Sequence, residues 1–342
     1  MSDIVGLTAK DIIMQPISTY WGSAFSADEK DEQTVPGFPG IILKWINFEN
    51  EVKENFRNIS WENYPTVLAY RPSGNATNLK IPDHFICGSR VSILNRWVEH
   101  ALRPVSAVGR VMGFGTVFGD WKATNKSFFR FSGNYQGNST IQSPYPDLAL
   151  IVESNREPRM IGMVEAPWDY NFQEIWGSFA HAHSAAPIEQ VLGMYYFCDS
   201  VLLFNLPKNQ HLARISTYMI ELGLIYGFLT NYDYTFFLKR SPIGSEEVIY
   251  CSKPISHTAS QLTGDAISVR QALMFLQCSV QGEESSWYAK SVPRNLVAGG
   301  QEVVMPEQLS ELPEEFPPDD RWIEDWINFE AHIQEYGLCE SP

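Results

Sequence analysis

Apolar positions along the chain fall into blocks with two different periods. After the turn-forming run Pro36-Gly37-Phe38-Pro39-Gly40, the spacing of Ile42, Trp45, Ile46, Phe48, Val52 and Phe56 predicts a helix over 41–57. Residues 67–70 read as a short strand, closed by the turn Pro72-Ser73-Gly74-Asn75. From Gly88 the pattern changes. Residues 89–105 carry an amphipathic helical pattern that includes Trp97, Glu99 and Leu102 and stops near Pro104, and 110–118 alternates, with glycines, in the manner of a twisted strand. Two continuous apolar runs follow, 148–152 and 160–164, joined by a turn over 155–158; they read as a hairpin whose strands lie inside a sheet. Residues 187–203 and 211–224 read as helices, 226–239 as a strand pair with alternating aromatic residues, and 269–280 as the last core helix.

Composition agrees with a folded globular chain. Its 342 residues are 44% apolar and 19% charged, enough apolar surface to offset chain entropy without disulfides or metal. The five cysteines are odd in number and scattered, with no CxxC pair, so they read as reduced core thiols. No stretch of eighteen uncharged apolar residues exists, and Asp3, Lys10 and Asp11 interrupt the opening residues; a cytoplasmic protein with no membrane partner is the expectation. Without export, the sequons at Asn58, Asn75, Asn125 and Asn138 carry no meaning.

The formal charge of −15 is unevenly placed. Residues 302–342 hold twelve acids against the one base Arg321, so the rest of the chain is nearly balanced, and total charge does not exclude a nucleic-acid partner. Three segments are expected: an N-terminal helical layer over 1–86, a core over 87–295, and an acidic, Pro-rich tail over 296–342 ending in a helix over 321–336. The pentapeptide Trp-Ile-Asn-Phe-Glu at 45–49 recurs at 326–330, but its surroundings do not repeat.

The hairpin is where chemistry concentrates. Asp147 opens its first strand and Glu165 closes its second, so both carboxylates fall at one end of an antiparallel pair. Paired acids of this kind hold a divalent cation in phosphodiester chemistry, or stand as surface carboxylates. Other candidates carry less. The imidazoles of His181 and His183 lack a recognisable third ligand, Gly113–Gly119 lacks phosphate-loop spacing, and no GxSxG elbow occurs. The aromatic run Tyr226, Phe228, Tyr232, Tyr234, Phe236 and Phe237 suits base stacking or a half-buried strand pair.

Pro146-Asp147, Glu165-Ala166-Pro167-Trp168, Tyr218-Met219 and the run from Tyr226 to Arg240 resemble the fungal branch of the PD-(D/E)XK nuclease-like superfamily, over about residues 89–280. The resemblance implies an α/β fold, a central mixed sheet flanked by helices. It also implies site residues: Asp147 as the first acid, Glu99 as the acid of the preceding helix, and Trp168, Tyr218 and Lys239 as substrate contacts. Anchored on Pro167-Trp168, the pattern departs from the family. Met163 stands where the metal-binding acid is expected, Glu165 where the lysine is expected, and Arg214 near a glutamine position. Two neighbouring carboxylates need a cation, a shared proton or separation; with Arg214 as the cation, an Asp147/Glu165/Arg214 ion cluster is the expectation in the old metal pocket.

Three functions stay open on the sequence. A magnesium-dependent nuclease would use Asp147, Glu165 and Glu99. An aminoacyl-tRNA-dependent, arginine-containing cyclodipeptide synthase, a transferase without cofactor or metal, would use tRNA as partner and Asp147 or Glu165 as base or guanidinium anchor. A binding module would make no product. The synthase is the favoured expectation.

Overall fold

The computed structural model describes residues 5–19, 21–22, 41–65, 67–70, 86–126, 146–168, 170–176, 210–242, 247–262, 264 and 266–290. The chain divides into two units, Met1–Val292 and Pro293–Pro342. The second, with the expected tail helix, lies outside the described residues, as do His181, His183 and the helix expected over 187–203.

The first unit is an α/β fold around a mixed eight-stranded sheet. Its strands are β3 (Ile41–Lys44), β6 (Thr116–Asp120), β7 (Leu148–Val152), β8 (Pro158–Val164), β9 (Tyr226–Thr230), β10 (Tyr234–Arg240), β11 (Val248–Cys251) and β12 (Ile255–Ser256). They run in the order β3-β11-β10-β9-β8-β7-β6, with β12 also on β10. The β3–β11 and β8–β9 pairs are parallel and the others antiparallel. Smaller two-stranded pairings join β1 (Val5–Thr8) to β4 (Val67–Tyr70) and β2 (Trp21–Gly22) to β5 (Ile86–Cys87). The hairpin β7–β8 sits inside the sheet, which is why its strands are unbroken apolar runs.

Among the described residues the unit also has the helices α1 (Ala9–Met14), α2 (Phe48–Asn58), α3 (Arg90–Trp97), α4 (Arg103–Val111), α5 (Gln210–Leu222) and α6 (Val269–Ser279). Strand alternation sorts them between the two faces. Phe237 pairs with Phe228 across β10–β9, and Phe48 of α2 stacks on Phe237 while meeting Phe275 of α6 edge-on. On the other face Gly227 lies against Met219 of α5. Ser268 caps α6 in a reciprocal box with Gln271. Among the described residues no helix is long and apolar enough to cross a membrane.

Three local expectations differ from the structure. Residues 41–44 form a strand, because Ile41–Lys44 pairs with Val248–Cys251 far along the chain; helix begins only at Phe48. The layer before residue 87 is accordingly mixed, with one strand in the central sheet. The helix from Arg90 runs past Pro104 to Val111. A π-turn over Val98–Leu102 shifts the hydrogen-bond register, and Pro104 then falls in the first turn of α4, where its missing N–H is tolerated. Gly113 belongs to no strand. At φ 83° it ends α4, with its N–H on the Arg110 carbonyl at 3.0 Å and the Phe114 N–H on the Gly109 carbonyl at 2.9 Å, a Schellman ending.

Candidate functional site

Asp147 immediately precedes β7 and Glu165 immediately follows β8. Their strands pair with Ala149 opposite Ile161, so Asp147, Ala149, Ile161, Met163 and Glu165 share one face, the one covered by α5. The backbone fixes both acids. The Asp147 N–H donates to the Gly162 carbonyl at 3.1 Å and the Glu165 N–H to the Thr230 carbonyl at 2.7 Å. An Asp147 side-chain oxygen, Oδ2, accepts the Val164 N–H at 2.9 Å.

Cations come from two helices. Arg90, the first residue of α3 after the capping Ser89, donates one terminal guanidinium nitrogen to both Asp147 oxygens, at 2.7 and 2.6 Å. Its Nε donates to the Val164 carbonyl at 2.6 Å and lies 3.5 Å from Glu165 Oε2. From α5, His211 places Nδ1 2.6 Å from Glu165 Oε1, and Arg214 donates to the same oxygen at 3.2 Å. His211, Arg214 and Tyr218 are spaced i, i+3 and i+7, one stripe of the helix. The Tyr170 ring closes on the His211 ring edge-to-face, with centroids 4.1 Å apart.

Electrostatics separates the two acids. Burial alone would raise the Glu165 pKa, but His211, Arg90 and Arg214 outweigh it and hold the carboxyl below its ordinary value. Burial also raises Asp147, aided by the nearby Glu165 charge and opposed by Arg90 and the Val164 amide; here burial wins. Burial pushes the Tyr218 phenol up to about 12 against the pull of Arg214. Glu165 is 6% exposed at its side chain and Asp147 10%, so these charges face each other with little water between them.

Asp147, Glu165, Arg214 and Tyr218 thus lie in one neighbourhood, and Trp168 sits three residues past Glu165, partly buried against the core. Glu99 does not join them. Nine residues beyond Arg90 is about half a turn around an α-helix; Glu99 faces solvent at 52% exposure and pairs with Arg103. Lys239 is also elsewhere. It pairs with Tyr226, at the opposite end of β9 from Thr230, and its ammonium lies over Trp45 at 5.4 Å on the face covered by α2 and α6. Two residues of the cluster, Arg90 and His211, escaped the sequence reading. The recurrence of His211 three positions before Arg214 on a helix was the signal for one of them; Arg90 left none beyond its place after a capping serine.

A divalent cation would need carboxylate oxygens at this end of the hairpin. Both Asp147 oxygens already accept from Arg90, and Glu165 Oε1 accepts from His211 and Arg214. The donor set does not fit magnesium without displacing Arg90. What the arrangement offers is a buried carboxylate oriented on an imidazole, the pairing that prepares a general base. Among the described residues His211 Nε2 meets no hydrogen-bond partner. No family model matches the chain, nor does any curated protein or solved structure.

Proposed function

We propose that the chain is an acyl-transfer enzyme on a repurposed nuclease-like scaffold, joining amino acids delivered as aminoacyl-tRNA into a cyclic dipeptide. The observation that carries this reading is the 2.6 Å contact between Glu165 Oε1 and His211 Nδ1, in a cluster whose other carboxylate is held by an arginine. Glu165 holds Nδ1–H and leaves Nε2 as the base.

The reaction needs no redox partner. The amine of one aminoacyl group attacks the ester carbonyl of the other; the C–N bond forms, the ester C–O bond to ribose breaks, and the amine proton passes through Nε2 to the departing ribose oxygen. A second, intramolecular aminolysis closes the ring and frees the second tRNA. Glu165 stabilises the transient imidazolium, Arg214 and Arg90 keep Glu165 ionised, and Asp147 holds Arg90 in place. Anchoring of a substrate guanidinium by Asp147 or Glu165 drops out of the proposal, because both already hold arginines of the chain; which amino acids are joined is read from the product.

The test is expression in a host that supplies charged tRNA, with mass spectrometry of the medium for cyclic dipeptides, beside purified protein incubated with plasmid or RNA and Mg²⁺. A cyclic dipeptide that disappears in His211→Gln supports the proposal. Mg²⁺-dependent cleavage would favour a nuclease, and neither product a binding module in which the cluster is an ion network.

A further inference from the structure

The stretch after Glu165 is fastened to the turn between β9 and β10 at three points. The Glu165 N–H donates to the Thr230 carbonyl at 2.7 Å, Asn231 Nδ2 donates to the Tyr170 carbonyl at 2.8 Å, and Gln173 Nε2 donates to the Tyr234 hydroxyl at 2.7 Å. The turn that receives them is strained. Tyr232 has φ 73°, a left-handed conformation that disfavours a bulky side chain by about 1–2 kcal/mol. It is nevertheless fully buried, its hydroxyl donating to the Ser18 carbonyl at 2.8 Å and its N–H to Thr230 Oγ1 at 3.0 Å. Strain over-determined in this way marks a place where geometry matters.

Asn231 uses both ends of its amide. Oδ1 accepts the Tyr234 N–H at 2.9 Å, closing the turn, while Nδ2 reaches out of the turn to Tyr170. The residue is 2% exposed, so neither bond has water to replace it. Tyr170 in turn places its ring against His211.

We propose that Asn231 is a positioning residue for His211: from the strained turn it fixes the Tyr170 carbonyl, which seats the Tyr170 ring against the imidazole and keeps Nδ1 on Glu165. The inference rests on the reading of His211 as the base.

Asn231→Asp tests it, since the aspartate keeps the acceptor for the Tyr234 amide and loses the donor to Tyr170. Tyr170→Leu removes the ring and leaves Asn231 untouched. The first readout is the pair of imidazole ¹⁵N shifts of His211 in the full-length protein, assigned by their loss in His211→Gln. Wild type is expected to show one tautomer with the proton on Nδ1, and both variants an averaged pair of shifts. The second readout is cyclic-dipeptide formation from a pool of charged tRNA, where kcat is expected to fall about tenfold with KM little changed. A folded Asn231→Asp protein with wild-type ¹⁵N shifts overturns the inference. Should that variant not fold, wild-type shifts in Tyr170→Leu overturn it alone. If the shifts respond but wild type itself makes no product, the positioning role stands and the proposed reaction falls; if wild type and both variants form product alike with unaltered shifts, the reaction stands and the positioning role falls.

Discussion

Glu165 Oε1 and His211 Nδ1 lie 2.6 Å apart, although the two residues are 46 positions apart in the chain. The contact joins the end of an interior strand to the first turn of a helix that crosses the same face of the sheet. His211, Arg90 and Arg214 together hold the Glu165 carboxyl below its ordinary value against burial, so it stands as a carboxylate. A neutral imidazole beside it is held in one tautomer, with Nδ1–H on the carboxylate.

Replacing Glu165 by Gln therefore has two effects with separate readouts. Product formation should fall by at least about a hundredfold, because an uncharged partner neither fixes the tautomer nor stabilises the imidazolium. Stability should fall as well, and the difference from wild type should depend on pH. Since the folded-state pKa is lowered, Glu165 contributes stability that is present above its unfolded pKa and lost as pH falls through the folded value. Paired thermal melts should show the largest gap near neutrality, narrowing as pH falls below the unfolded value of 4.5. A gap independent of pH would remove the charge from the argument.

The sheet interior was legible in sequence because its strands are short, unbroken apolar runs between turn residues; 148–152 matches β7 residue for residue. Placing Asp147 and Glu165 at one end of the hairpin needed only that pairing, whereas Arg214 was singled out by the family resemblance and only then matched to the two carboxylates as a cation. Arg90 was out of reach because its bond to Asp147 spans 57 positions and is made by tertiary packing alone. The strand Ile41–Lys44 was misread for the same reason: its parallel partner begins at Val248, and without that partner Ile42 and Trp45 show helical spacing. Pro104 misled in the other direction. A π-turn just before it absorbs what a proline normally ends.

Arg90 and Asp147 should behave as a coupled pair. Arg90→Leu leaves a carboxylate that is 10% exposed without its cation; because Arg90 itself is 37% exposed and solvent screens the pair, the loss should be about 1–3 kcal/mol, and Arg90→Leu/Asp147→Leu, which removes both charges, should recover much of it. The coupling is read from denaturant melts of the four proteins in a double-mutant cycle. Additive losses would mean that the two residues do not support each other.

His100 should be an acid-sensitive point away from this site. Burial, with Arg96 and Arg270 nearby, drives its pKa down to about 4, and its Nδ1 lies 3.1 Å from Ser18 Oγ. The fold therefore prefers the neutral ring. The unfolded chain binds the proton first as pH falls, so stability should decline between the unfolded value near 6.5 and about 4. His100→Gln should flatten that part of the stability curve. An NMR titration of His100 with a midpoint at an ordinary histidine value would refute the assignment.

Gly162 and Phe228 make the last case, because they tie core packing to the site. A β-carbon on Gly162 would lie 2.1 Å from Phe228 Cζ, inside a ring that is fully buried and contacts Trp97 and Phe118. A buried ring or the strand must shift to admit it, so Gly162→Ala should cost about 1–3 kcal/mol. The cost should reach Asp147 as well, since the Gly162 carbonyl accepts the Asp147 N–H and Val164, two residues on, holds Asp147 Oδ2. Phe228→Leu on its own should destabilise by leaving space, yet in the Gly162→Ala background it supplies the room the methyl group needs. The double variant should therefore melt higher than the sum of the single losses allows, and equal, additive losses in thermal melts would show that the glycine is not there for the ring.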